Sequence, residues 1–183
     1  DTWSVFGDFT YDFTDQLSLS LGGRYTVDKR NSTILRQTKL GRSAEFGGTP
    51  VVLATTSNFN GEARFTDFNP RASLSFKPNE DHLFFAGYSQ GFKGGGFDPR
   101  GVGVNAPAAI AGSPTDEEVT DFLSFAPEEV DSYEIGYKGN LGIFNIAAAA
   151  FYADYTDVQI PGSVACEVGG LPSFCGVVSN AGK

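Results

Sequence analysis

Few side chains in this sequence have the type and spacing that catalysis or metal binding requires. His82 is the only histidine among the 183 residues, so a zinc site would lack a second imidazole. A serine–histidine pair can be drawn because serine is abundant, but the long loops and strands need no catalysis to explain them. The glycine-rich stretch Gly91–Phe97 lacks the Gly-Lys-Ser/Thr ending of a phosphate-binding loop. We therefore expect a protein that is not an enzyme and that holds no cofactor or metal.

The two cysteines, Cys166 and Cys175, lie nine residues apart near the end of the sequence. A closely spaced pair in a strand-rich chain suggests a disulfide and an oxidising compartment. Two free thiols remain the alternative, because pairing cannot be read from a sequence alone.

Composition and charge exclude several classes of protein. The net charge of -9 argues against a nucleic-acid partner, which requires a concentrated basic surface. No run of about 18 apolar residues is present, so a membrane-spanning helix is excluded. Frequent glycine (23) and phenylalanine (17), with no methionine, indicate strands and turns.

Alternation of apolar and polar residues is the strongest structural signal. It predicts six strands at about residues 3–13, 17–27, 67–77, 82–93, 129–138 and 142–157. Short turns are expected near residues 15, 79 and 140. In two strands, 82–93 and 142–157, the alternation does not show which residues would face lipid and which would face the lumen.

The predicted connections alternate between short turns and long loops, at about 29–66, 94–128 and 158–178. Compact soluble domains rarely carry several such loops, whereas outer-membrane barrels have short periplasmic turns and long extracellular loops. We therefore predict an all-β fold: an antiparallel meander of about six long strands, a fragment of a large transmembrane β-barrel. Both chain ends would then be extracellular, and two sheet edges would need covering by other strands.

Five stretches, in order, resemble the β-barrel of TonB-dependent receptors: 68–72, 88–97, 127–138, 150–160 and 178–183. The resemblance implies a barrel of about 22 strands in the bacterial cell outer membrane. It also implies an N-terminal plug domain, contact with TonB, and uptake of scarce ligands such as ferric siderophores. Residues 1–183 contain no plug, so we expect a partial receptor barrel.

The alternation and the resemblance together nominate site residues. Lumen-facing candidates are Arg24, Arg71, Glu134 and Lys138. We favour a simple lumen ion pair for Glu134 and Lys138, and the alternative is pairing with the plug or a neighbouring strand. Arg24 and Arg71 are interpreted in the same way. The stretch Gly91–Phe97 is interpreted as a strand exit at the barrel rim, and alternatively as a flexible loop base that closes over ligand. Ligand or gating candidates at that base are Gln90, Phe92, Lys93 and Arg100.

The first two predicted loops differ in charge. Basic residues dominate the first over Glu45 and Glu62: Lys29, Arg30, Arg36, Lys39, Arg42 and Arg64. Acidic residues dominate the second over Arg100: Asp98, Asp116, Glu117, Glu118, Asp121 and Glu128. We favour solvated loop surfaces, and the alternative for the first is attraction of an anionic iron chelate or of lipopolysaccharide phosphates.

The predicted function is active uptake of a ligand such as a ferric siderophore across the outer membrane, energised through TonB. Expected partners are the rest of the barrel, the plug, TonB, and outer-membrane lipid and lipopolysaccharide. One alternative is a passive porin. Another is a soluble all-β binding module, which predicts that Trp3, Leu19 and Phe76 are buried together instead of lying on an outer surface.

Overall fold

Long antiparallel strands dominate the computed structural model, which describes residues 1–41, 47–109, 112–168 and 171–182. Within those ranges a 3-10 helix spans Gly103–Asn105 and helix α1 spans Asp116–Leu123. No helix of the described part of the chain has the length and apolar character needed to cross a membrane. The strands are β1 Thr2–Asp12, β2 Leu17–Leu40, β3 Val51–Asn79, β4 His82–Lys93, β5 Gly96–Phe97, β6 Ser124–Phe125, β7 Glu128–Leu141, β8 Phe144–Thr156, β9 Val158–Val168 and β10 Leu171–Ala181.

The main sheet has six strands in the order β1-β2-β3-β4-β7-β8, all antiparallel. This confirms the predicted meander of six long strands. The sheet is open, with β1 and β8 at its edges. The last turn falls slightly later than predicted, because β7 continues through Leu141 and Gly142 supplies the positive φ (75°) that the turn needs.

The register aligns the alternation of all six strands, so that the sheet has one apolar face. One row across it reads Tyr11, Leu19, Leu74, Ala86, Ile135 and Ala150. The next row reads Phe9, Leu21, Ala72, Tyr88, Tyr133 and Tyr152. These rows assign the sides of β4 and β8 that the sequence left open. We call this side the apolar face and the opposite side the polar face.

Large side chains of the apolar face are exposed to a degree that is unusual for a soluble protein. Phe9 and Ile135 are 62% and 63% exposed, and Trp3 and Phe76 are 51% and 42% exposed. Soluble monomers rarely expose a contiguous apolar area of this extent. The arrangement opposes the soluble-module alternative, which required Trp3, Leu19 and Phe76 to be buried together.

Much of the predicted first long loop is in fact strand. β2 and β3 pair without interruption from Leu17↔Phe76 to Arg36↔Ser57, and after two register shifts they end at Leu40↔Val51. The prediction of a loop at 29–66 was wrong in this respect, since many charged residues obscure the alternation there. Arg42 and Glu45 of that predicted loop lie outside the described residues.

The other two predicted loops also contain regular structure. Residues 158–178 lie mainly in the β9–β10 hairpin, where a disulfide joins Cys166 to Cys175 with Cα atoms 5.8 Å apart. Residues 94–128 contain the short β5–β6 pair, the 3-10 helix and α1. Elements this short give too little periodicity to be predicted from sequence.

Candidate functional site

We call residues 94–127 the cover segment, and its described part folds onto the extended β2–β3 hairpin. This part shares a small core in which Phe97 and Leu123 pack with Ile34 and Phe59 of the hairpin. The rings of Phe59 and Phe97 are 5.1 Å apart. Phe59 shares its side of β3 with Arg71, so the cover segment lies on the polar side of the hairpin. A buried core therefore holds in place a segment that the sequence presents as a loop.

The start of the cover segment is held by a close backbone approach. A Cβ at Gly95 would lie 2.3 Å from the carbonyl oxygen of Phe125 and 2.9 Å from the Phe65 ring. Only glycine leaves room for β5 and β6 to meet at this point. The glycine-rich stretch thus acts here as a tight strand exit.

Helix α1 begins with a capping box. The Glu118 backbone N–H donates to the Thr115 hydroxyl, and the Glu118 carboxylate accepts from the Thr115 backbone N–H at 2.7 Å. The backbone N–H groups of Thr115 and then Ala109, followed by the Thr115 hydroxyl, lower the pKa of Glu118. The carboxylate thereby fastens the start of α1 to the preceding chain.

We expect the protection of α1 to depend on pH through Glu118. Because its folded pKa is lowered, the stabilisation is present above the unfolded pKa of about 4.3 and is lost as pH falls through the folded value. The protection factors of residues 116–123, which correct for the pH dependence of intrinsic amide exchange, should fall as pH falls across that window in the wild type. In Glu118→Gln this fall should be absent, whereas the control Glu117→Gln should keep it. An identical pH response in Glu118→Gln would contradict this role.

A buried carboxylate fixes the middle of the cover segment. Asp98 is only 2% exposed, and its Oδ1 accepts from the Arg100 backbone N–H at 2.9 Å and from Arg100 Nε at 3.3 Å. The prediction of a wholly solvated acidic loop was therefore wrong for Asp98. The Arg36 guanidinium of β2 donates to the carbonyls of Arg100 and Gly101, and Arg100 donates to the Val177 carbonyl at 3.2 Å. Arg100 thus connects the cover segment to β10.

Two amide side chains hold the ends of the cover segment, and we call them the amide clasp. Gln159 and Asn180 face each other in the β9–β10 hairpin. Gln159 Nε2 donates to the carbonyls of Gly94 at 3.1 Å and Ala126 at 3.0 Å. Asn180 brackets Ala126, because its Oδ1 accepts from that backbone N–H at 2.7 Å and its Nδ2 donates to that carbonyl at 2.9 Å. Both ends of the cover segment therefore depend on one pair of residues.

The backbone conformation and the carbonyl of Asp157 position the two residues of the amide clasp. Asp157 has φ 53°, a left-handed conformation that separates β8 from β9, and its carbonyl accepts from Asn180 Nδ2 at 2.7 Å. The Gln159 backbone N–H donates to Glu128 Oε2 at 2.9 Å, and the same carboxylate pairs with Lys93 at 3.5 Å. The hairpin is thus joined to the last residue of β4 and the first residue of β7.

A cavity of about 490 Å³ lies between the cover segment and the β9–β10 hairpin. Its wall is largely apolar and includes Val102, Leu123, Val164 and the disulfide. Asp98 also lines it, and one carboxylate oxygen of Asp98 has no hydrogen-bond partner among the described residues. The space has the size and apolar lining of a small-molecule pocket.

The four lumen candidates all lie on the polar face. Arg71 pairs with Asp8 across β2, with Nε 2.7 Å from Oδ1, and Gly22 leaves room between them. Arg24 donates to the Thr26 hydroxyl at 3.3 Å. That this face lines a lumen stays a prediction.

The interpretation of Glu134 and Lys138 as an ion pair was wrong within the described part of the chain. Four residues along one strand separate their Cα atoms by about 13 Å, which is too far for the two side chains to meet readily. The Lys138 ammonium instead lies 5.8 Å from the centre of the Phe85 ring. Glu134 faces Gly87 on β4 and Phe151 on β8.

The four loop-base candidates are divided between the two sides of the sheet. Lys93 and Arg100 contact the clasp region and the cover segment, as described above. Gln90 and Phe92 share the alternation of Phe84 and therefore lie on the side of the apolar face, where Gln90 is 3.5 Å from Glu129. The structure does not bring these four residues into one site.

Sequence reasoning missed the amide clasp. Asn180 and Gln159 lie in stretches that resemble the receptor family, but amides that bind backbone carbonyls leave no periodic signal. His82, at the predicted short turn, has Nδ1 2.7 Å from the Tyr137 hydroxyl. That hydrogen bond gives the histidine a structural partner on β7.

Comparison with known proteins identifies the family. The family model described as TonB dependent receptor-like, beta-barrel, matches residues 1–183. No curated protein matches the sequence. The family consists of transport receptors of the bacterial outer membrane.

Solved structures share the fold at low sequence identity. The ferric yersiniabactin uptake receptor FyuA from Yersinia pestis is 20% identical with a TM-score of 0.59, and the match covers 87% of this chain and 21% of that one. The copper transporter OprC is 14% identical with a TM-score of 0.58, and the match covers 98% of this chain and 25% of that one. This chain thus spans about a quarter or less of the length of these two proteins. The open six-stranded sheet, its two faces and the family match together place the chain in the β-barrel of the TonB-dependent receptor family.

Proposed function

We propose that this chain forms part of the barrel wall and ligand cover of an outer-membrane active-transport receptor. The apolar face contacts lipid and the polar face lines the lumen. The remaining strands and a plug complete the receptor, and TonB supplies the energy through the plug. The chain performs no chemistry on the ligand.

The observation that carries this proposal is the position of the cover segment relative to the two faces. A wall strand needs only the alternation of lipid-facing and lumen-facing residues. Here a structured segment is also held on the polar side, with a cavity between it and the β9–β10 hairpin. A cover at the lumen mouth suits a receptor that captures a ligand before moving it.

The ligand we propose is a small metal chelate such as a ferric siderophore. The two solved neighbours are named as a ferric yersiniabactin uptake receptor and a copper transporter, so both names refer to the uptake or transport of a metal. The extended hairpin also carries more basic than acidic residues, which favours an anionic chelate.

Cellular uptake tests the proposal directly. The full-length receptor would be expressed in cells with and without TonB, and supplied with radioactive iron on hydroxamate, catecholate and phenolate chelators, or with radioactive copper. We expect uptake of at least one probe that requires both the receptor and TonB. Uptake that persists without TonB, together with steady ion conductance of the purified protein in planar bilayers, would support the passive porin instead.

A further inference from the structure

The cavity between the cover segment and the β9–β10 hairpin combines an apolar wall with a buried carboxylate. Val102 and Leu123 line it from the cover segment, and the disulfide lines it from the hairpin. Val102, Leu123 and Cys175 are all buried. The volume of about 490 Å³ admits a compact organic molecule, whose apolar part would displace water from this wall.

Two polar bridges span the gap between the two walls. Arg100 Nη2 donates to the Val177 carbonyl at 3.2 Å, and Asn105 Nδ2 donates to the Glu167 carbonyl at 3.1 Å. The first bridge joins the cover segment to β10, and the second joins it to β9. Walls that are fixed before binding lose less conformational freedom when a ligand enters. The cavity is therefore a pre-formed site.

Asp98 gives the cavity a preference for a hydrogen-bond donor. Its Oδ1 accepts from the backbone N–H and the Nε of Arg100, whereas its buried Oδ2 accepts from no group in the described part of the chain. A buried acceptor without a partner is unfavourable, most of all when it belongs to a charged group. A ligand N–H that enters beside Asp98 would supply the missing donor.

The charged groups of the wall favour a cation. Asp98 and Glu167 are its two carboxylates, and Glu167 is exposed. Arg100 pairs with Asp98 but is not part of the wall, and the described wall residues include no lysine, arginine or histidine. Beside the buried Asp98, attraction to a cation is screened less than in water. The cavity thus has the opposite preference to the basic residues of the extended hairpin.

We propose that this cavity binds a small organic amine, with its ammonium group beside Asp98 and its apolar body against Val102, Leu123 and the disulfide. An aromatic body would also contact the ring of Phe122, which lines the same space. An occupant in contact with both walls holds the cover segment against the hairpin. This inference goes beyond the proposed function, because it concerns binding alone and requires neither TonB nor transport of the amine.

Three compounds of similar size test the charge preference. Phenethylamine carries an ammonium group at neutral pH, whereas phenethyl alcohol carries a hydroxyl and hydrocinnamate a carboxylate on nearly the same body. Calorimetric titration of the full-length receptor in nonionic detergent, corrected for empty micelles, measures each affinity. We expect the amine to bind about tenfold more tightly than the alcohol, because a hydrogen bond to a charged group is the stronger one. Equal affinities for these two compounds, or tighter binding of hydrocinnamate, would overturn the proposal.

The variant Asp98→Asn tests the carboxylate itself. It keeps the side-chain shape and an oxygen that accepts from the Arg100 backbone N–H. Its affinity for phenethylamine should fall about tenfold, and its affinity for phenethyl alcohol should change much less. Asp121→Asn is the matched control, because it removes an exposed carboxylate of the same segment that lies outside the cavity wall. Wild-type affinity for the amine in Asp98→Asn would refute the role of Asp98.

Hydrogen exchange locates the bound amine on the receptor. Saturating phenethylamine should slow the exchange of residues 98–105 and 164–167, which belong to the two walls. Val164→Trp fills the cavity from the hairpin and leaves Asp98 in place, so it should abolish both the binding and this protection. Protection confined to other parts of the receptor, or protection that persists in Val164→Trp, would overturn the assignment to this cavity.

Discussion

Leu21→Arg should destabilise the bilayer-folded receptor by about 2–4 kcal/mol, the cost of a cation at the midplane of a lipid-facing strand. Leu21 lies near the centre of the apolar stretch of β2, between Phe9 and Ala72, and is 47% exposed. We expect that exposed surface to meet hydrocarbon in the bilayer, which cannot solvate a guanidinium. Denaturant unfolding of the receptor refolded into phospholipid vesicles measures the loss.

The neighbouring residue provides a matched control for this substitution. Ser20 lies on the polar face, where its hydroxyl is 2.9 Å from that of Thr10. Ser20→Arg places the same cation one residue away on the other side of the sheet, and we expect a loss below about 1 kcal/mol. Equal losses for both variants would show that the apolar face does not face lipid.

Removing the amide clasp should lower the free energy needed to open the cover segment by about 3 kcal/mol. Several hydrogen bonds worth about 1 kcal/mol each are then lost together. The double variant Gln159→Leu, Asn180→Leu keeps side-chain size but leaves the carbonyls of Gly94 and Ala126 without these donors. Hydrogen exchange of residues 94–97 and 124–127 should accelerate about a hundredfold. Dissociation of a bound ligand should accelerate with it.

Gln37→Leu is the matched control for the clasp. Its side chain donates to the Thr55 hydroxyl at 3.4 Å within the extended hairpin and does not contact the ends of the cover segment. Exchange at residues 94–97 and 124–127 should stay at the wild-type rate in this variant. The clasp would be refuted if the double variant also exchanged at that rate.

The six-stranded meander was predictable because alternation is a local property of each strand. The alternation within β1 and β2 alone assigns Tyr11 and Leu19 to one face of the sheet, without knowledge of the rest of the structure. The extension of β2 and β3 was not predictable in the same way. Ile34 and Phe59 are buried by Phe97 and Leu123, which lie far away in the sequence. Their burial therefore depends on tertiary structure.

The candidate site was predictable only in part. The sequence identified Lys93 and Arg100 near the cover segment, and both do contact its surroundings. It missed Gln159 and Asn180, because their partners are backbone carbonyls that any residue supplies. It also paired Glu134 with Lys138, because spacing along the chain does not reveal that Phe85 on the next strand is the nearer partner.

The amide clasp has a consequence for how this protein can change over evolutionary time. A segment whose two ends meet at one point is a closed ring, and the entropy of closing a flexible ring grows only slowly with its length. Insertions or deletions near residues 107–114, between the 3-10 helix and α1, would alter the ring without moving the strands beneath it. The wall and the cover can therefore diverge at different rates, so that a lineage can acquire a new ligand while its barrel stays the same.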